Sequence, residues 1–134
     1  MTLGVRGIVH DRLNNKVLLI RHTYVPGWHL PGGGIETGET ALFALERELE
    51  EEGNIVLLAP PQLRSFHFNR EASRRDHVAV YLVTAYRQSS PKEPDYEIAE
   101  AGFFSLNHLP EGTSAATRRR LAETFSNLPP AAEW

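Results

Sequence analysis

The stretch "WHLPGGGIETGETALFALERELEEEGNI" (Trp28–Ile55) sets a run of glycines directly ahead of a helix-forming segment that ends in Glu50-Glu51-Glu52. It holds seven of the chain's 17 acidic residues. From Thr40 to Glu52 good helix formers dominate, and Gly53-Asn54 supplies a stop. On a helix of this register Leu42, Leu45 and Leu49 form the expected core-facing stripe, while Phe43, Glu46, Arg47 and Glu50 face away.

Glu48, Glu51 and Glu52 stand at the spacing i, i+3, i+4, so they share an arc that borders that stripe. A solvated helix keeps its acids off its apolar edge. Crowded and partly buried, these carboxylates repel, and a hard divalent cation with a preference for oxygen ligands removes the penalty. Ala41 and Ala44 on the same arc are small enough to leave room for ions. Arg47 is placed to pair with Glu51 four residues on, either orienting a carboxylate or forming one weak surface pair. Ahead of the helix, Pro31-Gly32 marks a turn, and Gly32, Gly33, Gly34 and Gly38 permit close approach of a ligand to the main chain. No Gly-Lys-Ser/Thr follows them, so this is not a Walker loop.

The rest of the chain fits around this segment. Leu3–His10 and Lys16–His22 read as strands joined by a hairpin-type connection, and "NIVLL", "QLRSFHF" and "EIAEAGFFSL" as further strands. His77–Arg87 is the richest in β-branched and aromatic residues and reads as one long strand. "TSAATRRRLAETFSNL" has helical periodicity, with Arg118-Arg119-Arg120 as a polar face, and residues 129–134 read as an irregular tail. The pattern predicts one α/β domain over residues 1–134, a mixed sheet with helices packed on it. The 134 residues are enough to bury a real core. No apolar run is long enough to cross a membrane and the N-terminus lacks a secretory signal, which predicts a cytoplasmic protein. With no cysteine there is no thiol nucleophile or disulfide. The net charge of −3 divides into −5 over Glu39–Glu52 and +2 elsewhere, an awkward partner for nucleic acid unless cations intervene.

Read as one string, Gly33–Ile55 resembles the Nudix box of the Nudix hydrolases: Gly33, Glu39, Arg47, Glu48, Leu49, Glu51, Glu52 and Ile55 are in register. Asn54 stands where the pattern has Gly, and Asn is the next best residue at a left-handed helix end. The resemblance implies an α/β/α sandwich with the box as loop-helix-loop. It also implies hydrolysis, dependent on Mg²⁺ or Mn²⁺, of a nucleoside diphosphate linked to another moiety, by attack of a metal-activated water on phosphorus. By position, Glu48, Glu51 and Glu52 would be metal ligands, with Glu51, Glu52 and Arg47 as the catalytic group. Gly33 and Glu39 would shape the loop. Glu97 and Glu100 are the candidates for an additional acid from outside the box. Arg21, with His22 beside it, is a candidate for phosphate, and Trp28 either stacks on a base or packs in the core. Arg70, Arg74 and Arg75 lie in a polar loop that either clamps an anion or is simply solvated. The implied partner is a small nucleoside diphosphate derivative, with nucleic acid entering only as a capped or triphosphate RNA end, and a homodimer is compatible with the chain. The competing reading is a domain of the same fold that binds a nucleotide without cleaving it.

Overall fold

The computed structural model describes residues 3–134. Strand β1 (Leu3–Asp11) is its axis. Along one edge it runs parallel to β7 (His77–Val83), in register from Leu3↔His77 to Val9↔Val83. Its other edge is shared. His10 and Asp11 pair with β2 (Lys16–His22), and Gly4–Arg6 pair with β4 (Gly32–Gly34). β1 and β2 therefore diverge, and Trp28–Gly34 fills the wedge, hydrogen-bonding first to β2 through β3 (Trp28–His29) and then to β1. The glycine run is thus a paired strand and not the turn its composition predicts. Glycine is a poor strand former, but here the wedge admits backbone and little else.

Strand β6 (Gln62–Phe68) pairs with β7, and β9 (Ile98–Ser105) with the far edge of β2. β5 (Ile55–Leu57) forms a separate two-stranded sheet with β8 (Tyr86–Gln88). The expected strand His77–Arg87 is consequently two strands that belong to different sheets, broken at Thr84-Ala85. Parallel and antiparallel pairs coexist, so the sheet is mixed.

The alternation of β1 and β2 feeds two cores. Val5, Val9 and Leu18 pack under helix α1 (Ala41–Gly53) with Ala44, Leu45 and Leu49. Ile8, Val17 and Leu19 pack on the opposite face with Trp28, Leu30 and Leu121 of α2 (Ala115–Phe125). The result is an α/β/α sandwich. Thr40 caps α1, its hydroxyl accepting from the Phe43 N–H at 3.1 Å. Asn54 ends it in the left-handed conformation (φ 57°, ψ 34°).

Two expectations about the second helix and the tail are corrected. Arg120 is buried, not part of a polar face: its Nε and Nη2 donate to the Glu123 carboxylate at 2.9 and 2.8 Å, and its Nη1 to the Trp134 carbonyl at 2.8 Å. The tail is tied down too. The Phe68 N–H donates to Ala132 O and the Trp134 N–H to Phe68 O, each at 2.8 Å, which covers the edge of β6. No helix among the described residues is long and apolar enough to cross a membrane.

Candidate functional site

Helix α1 is rotated further toward its acids than the leucine stripe predicts. Ala44, Leu45, Leu49, Glu52 and Gly53 are its buried residues, whereas Leu42 is 41% exposed. Glu52 therefore does not border the core stripe but lies in it. Ala44 is part of the core and leaves no room for an ion.

The Glu52 carboxylate accepts from the Gly32 N–H at 2.7 Å. Burial pushes its pKa up to about 8; the Gly32 N–H opposes this, and the Glu48 carboxylate beside it adds to it. Glu48 and Glu52 stand within hydrogen-bonding reach of each other. The glycines make this possible. A Cβ on Gly33 would come within 2.9 Å of the Glu48 carboxyl, and one on Gly32, where φ is 149°, within 2.0 Å of Val5 O.

Arg47 is fixed on the other side of Glu48. Its Nε and Nη2 donate to the two oxygens of Glu39 at 2.7 and 2.8 Å, and its Nη1 to Glu48 at 2.7 Å. The bidentate geometry matches a planar fork to a carboxylate. Glu39 in turn accepts from the Glu36 N–H at 2.9 Å, so the loop is held by its own side chain. With these bonds, chiefly that from Arg47, the Glu39 pKa falls to about 2. The expected Arg47–Glu51 pair is only the weakest contact, at 3.7 Å.

Glu51 shares the helix face but not the pocket. Its side chain is 56% exposed, and its pKa is raised by partial burial and then by Glu48. Among the described residues no three His, Asp or Glu side chains converge on one point. The predicted trio is thus an inward pair, Glu48 and Glu52, with Glu51 one turn out. The donor set still suits a hard divalent cation, since it is all oxygen, and burial first and the Glu48 charge second raise the proton affinity of Glu51 and Glu52.

The residues outside the helix separate clearly. The charge on Glu97 lies close enough to raise Glu51. Glu100 instead pairs with Arg21 at 3.2 Å, both largely exposed. The Arg21 guanidinium lies 5.7 Å from the centroid of the Trp28 ring, which is buried against Phe104. Trp28 thus packs in the core and has no face to stack on a base, while Arg21 is occupied away from the carboxylate pair. Arg70 pairs with Glu133, so that loop arginine is also taken.

Three further polar residues, Arg6, His22 and Asp76, carry no motif in the sequence. Arg6 is half-buried, donates Nη1 to Leu30 O at 2.8 Å, and is held below its ordinary pKa by desolvation against the opposing fields of Glu52 and Glu48. A lone arginine inside the apolar strand "LGVRGIVH" was the available signal. His22 has a buried Nδ1 with no partner, and burial, Arg6 and His29 keep its pKa low. Asp76, only 6% exposed, ends the arginine loop and looks like part of it in the sequence.

Comparison with known proteins finds a match to the NUDIX domain model over residues 2–125. The ADP-ribose pyrophosphatase of Methanocaldococcus jannaschii is 32% identical over 116 residues, 81% of this chain and 64% of that one. A putative mutator protein, MutT4, of Mycobacterium tuberculosis is 32% identical over 104 residues, 75% of this chain and 42% of its own length. The chain thus spans between about two fifths and two thirds of these two relatives. The crystal structure of the MutT NUDIX hydrolase from Burkholderia pseudomallei superposes with a TM-score of 0.75 at 29% identity, covering 90% of this chain and 95% of that one.

Proposed function

Because the chain belongs to the NUDIX domain family, we propose that it is a divalent-metal-dependent pyrophosphohydrolase acting in the cytoplasm on a nucleoside diphosphate linked to another moiety. The observation that carries this reading is the inward carboxylate pair, Glu48 and Glu52, set against glycines that have no side chain to keep a ligand away.

Glu48, Glu52 and Glu51 would hold Mg²⁺ or Mn²⁺. The ion's contribution would be to neutralise the diphosphate, polarise the attacked phosphorus and lower the pKa of a bound water. Arg47 holds Glu48 in place while its fork is anchored on Glu39, so it positions a ligand and does not touch substrate. The Gly32 N–H fixes one oxygen of Glu52. Glu97, whose charge already reaches Glu51, is the better candidate for the additional acid; Glu100 is committed to Arg21. Arg6, half-buried and close enough for its charge to act on both carboxylates, can offset phosphate charge.

The test is phosphate release from a panel of nucleoside diphosphate derivatives with Mg²⁺ or Mn²⁺. Wild type should turn over at least one, and Glu51→Gln and Glu52→Gln should each lose roughly 100-fold or more in kcat, the scale of losing charge stabilisation at a transition state. Tight nucleotide binding with no turnover by wild type would replace this reading with a binding domain. Full turnover by both variants would mean that other carboxylates do the work.

A further inference from the structure

The box departs from its pattern at Asn54, and what asparagine adds there over glycine is a side-chain amide. That amide is in use. Its Nδ2 donates to the Ser90 carbonyl at 3.2 Å and reaches the Ser90 hydroxyl and the Pro91 carbonyl, each at 3.4 Å. Carbonyl oxygens only accept, so the nitrogen is the atom that must face them. The Ser89 N–H also donates to Asn54 O, at 3.0 Å, a main-chain bond that any residue could make. The side chain therefore adds a tie further out, from the end of α1 to the loop of residues 89–97 between β8 and β9.

Beyond the tie the loop is stiff. Pro91 and Pro94 fix their φ angles. Asp95 closes the next turn: Oδ2 accepts from Lys92 Nζ at 2.7 Å, and Oδ1 from the N–H groups of Glu97 and Ile98 at 2.8 and 2.7 Å. Thr23 holds the far end, its hydroxyl donating to the Tyr96 carbonyl at 2.7 Å and its N–H to the Glu97 carbonyl at 2.9 Å. What the loop delivers is Glu97, whose charge acts on Glu51, three residues before Asn54. The two acids stand on different elements and repel each other. Their repulsion pushes the loop outward unless something ties it to the helix that carries Glu51.

We propose that Asn54 is a positioning residue: its side chain latches the 89–97 loop to the end of α1 and so keeps Glu97 within reach of an ion held by the box glutamates. This rests on the reading of Glu97 as the additional acid. Asn54→Gly isolates the side chain, since glycine accepts the left-handed backbone and keeps the bond to Ser89.

By ¹⁵N relaxation of the metal-free protein, the amides of residues 89–97 should become more mobile in Asn54→Gly while those of α1 do not change. By electron paramagnetic resonance, Asn54→Gly should weaken Mn²⁺ binding about 10-fold, the low end of what loss of a group that orients a ligand costs, and Glu97→Gln at least as much. The double variant should bind as Glu97→Gln does, because the latch then has nothing left to position. Three results each overturn the proposal: loop amides as ordered in Asn54→Gly as in wild type, Glu97→Gln binding as tightly as wild type, or losses that multiply in the double variant. A merely structural role for Asn54 gives the last of these. Failure of the hydrolase reading would look different: the same coupling in Mn²⁺ binding, with no phosphate released from any nucleoside diphosphate derivative.

Discussion

Glu52 concentrates the physics of the site in one side chain. Its folded pKa of about 8 lies above the ordinary 4.5, so the native state holds a proton that the unfolded chain gives up. Between those two values stability falls as pH rises, because ionising Glu52 in place is more costly than ionising it in water. A divalent cation reverses the penalty by favouring the charged form. Thermal melts of the metal-free protein should therefore decline from pH 5 to pH 8, and Mg²⁺ should raise the melting temperature more at pH 8 than at pH 5. Glu52→Gln should remove most of both dependences. A metal-free melting profile in Glu52→Gln with the same decline as wild type would show that burial of this carboxylate is not its cause. Arg47 is the neighbouring case. Arg47→Lys keeps the charge and loses the fork, so Glu39, now near pKa 2, should titrate closer to 4.5 by NMR. An unmoved Glu39 would mean that Arg47 is not what holds it.

At the scale of elements, the box is a strand, a loop and a helix that fix one another. Gly33→Ala places a methyl 2.9 Å from the Glu48 carboxyl and should lower kcat well beyond its effect on the melting temperature; a variant with wild-type kcat would show that Glu48 has slack. Asn54, in the left-handed conformation at the end of α1, should tolerate Gly but not Ala, with Asn54→Ala costing about 1–2 kcal/mol in urea unfolding. Equal stability of the two variants would remove that cap from the account. This is also the scale at which the sequence was most and least readable. The i, i+3, i+4 spacing of Glu48, Glu51 and Glu52 survives intact because helical periodicity is local. The direction that face points is not local. Leu42 looked like core and is exposed, because the packing of Val5, Val9 and Ala79 turns α1 toward Glu52. Nor could β4 be read, since nothing in three glycines predicts a strand whose partners lie 26 to 30 positions earlier, from Arg6↔Gly32 to Gly4↔Gly34. The split of β7 from β8 is hidden likewise, because β-propensity says nothing about which sheet a residue joins.

Over the whole molecule, two helices press on opposite faces of a sheet whose central strand divides its edge between β2 and β4, and the site lies where that edge divides. The tail and α2 are joined through Arg120 and His67, which a reading of residues 129–134 as irregular does not foresee; the donors and acceptors that tie them lie far apart in sequence. His67 is buried, with Nδ1 2.6 Å from Ala131 O and Nε2 2.7 Å from Ser65 Oγ, and burial together with Arg120 lowers its pKa below 6.5. The unfolded chain therefore takes up this proton first as pH falls. The His67 contribution is complete above pH 6.5 and is lost as pH drops through the lowered folded value. In a Glu52→Gln background, which removes the opposing slope, stability should fall from pH 7 to pH 5, and His67→Gln should flatten that fall. An identical slope with and without His67 would assign the acid sensitivity to another group.

The central claim is that Glu48 and Glu52 form a site for a divalent cation at the glycine strand. Titration with Mn²⁺, following the free ion by electron paramagnetic resonance, tests it without substrate. Wild type should bind the ion saturably, and Glu48→Gln and Glu52→Gln should each weaken binding by roughly 10-fold or more, as expected when a charged oxygen ligand is lost. Binding by both variants as tight as that of wild type would contradict the account.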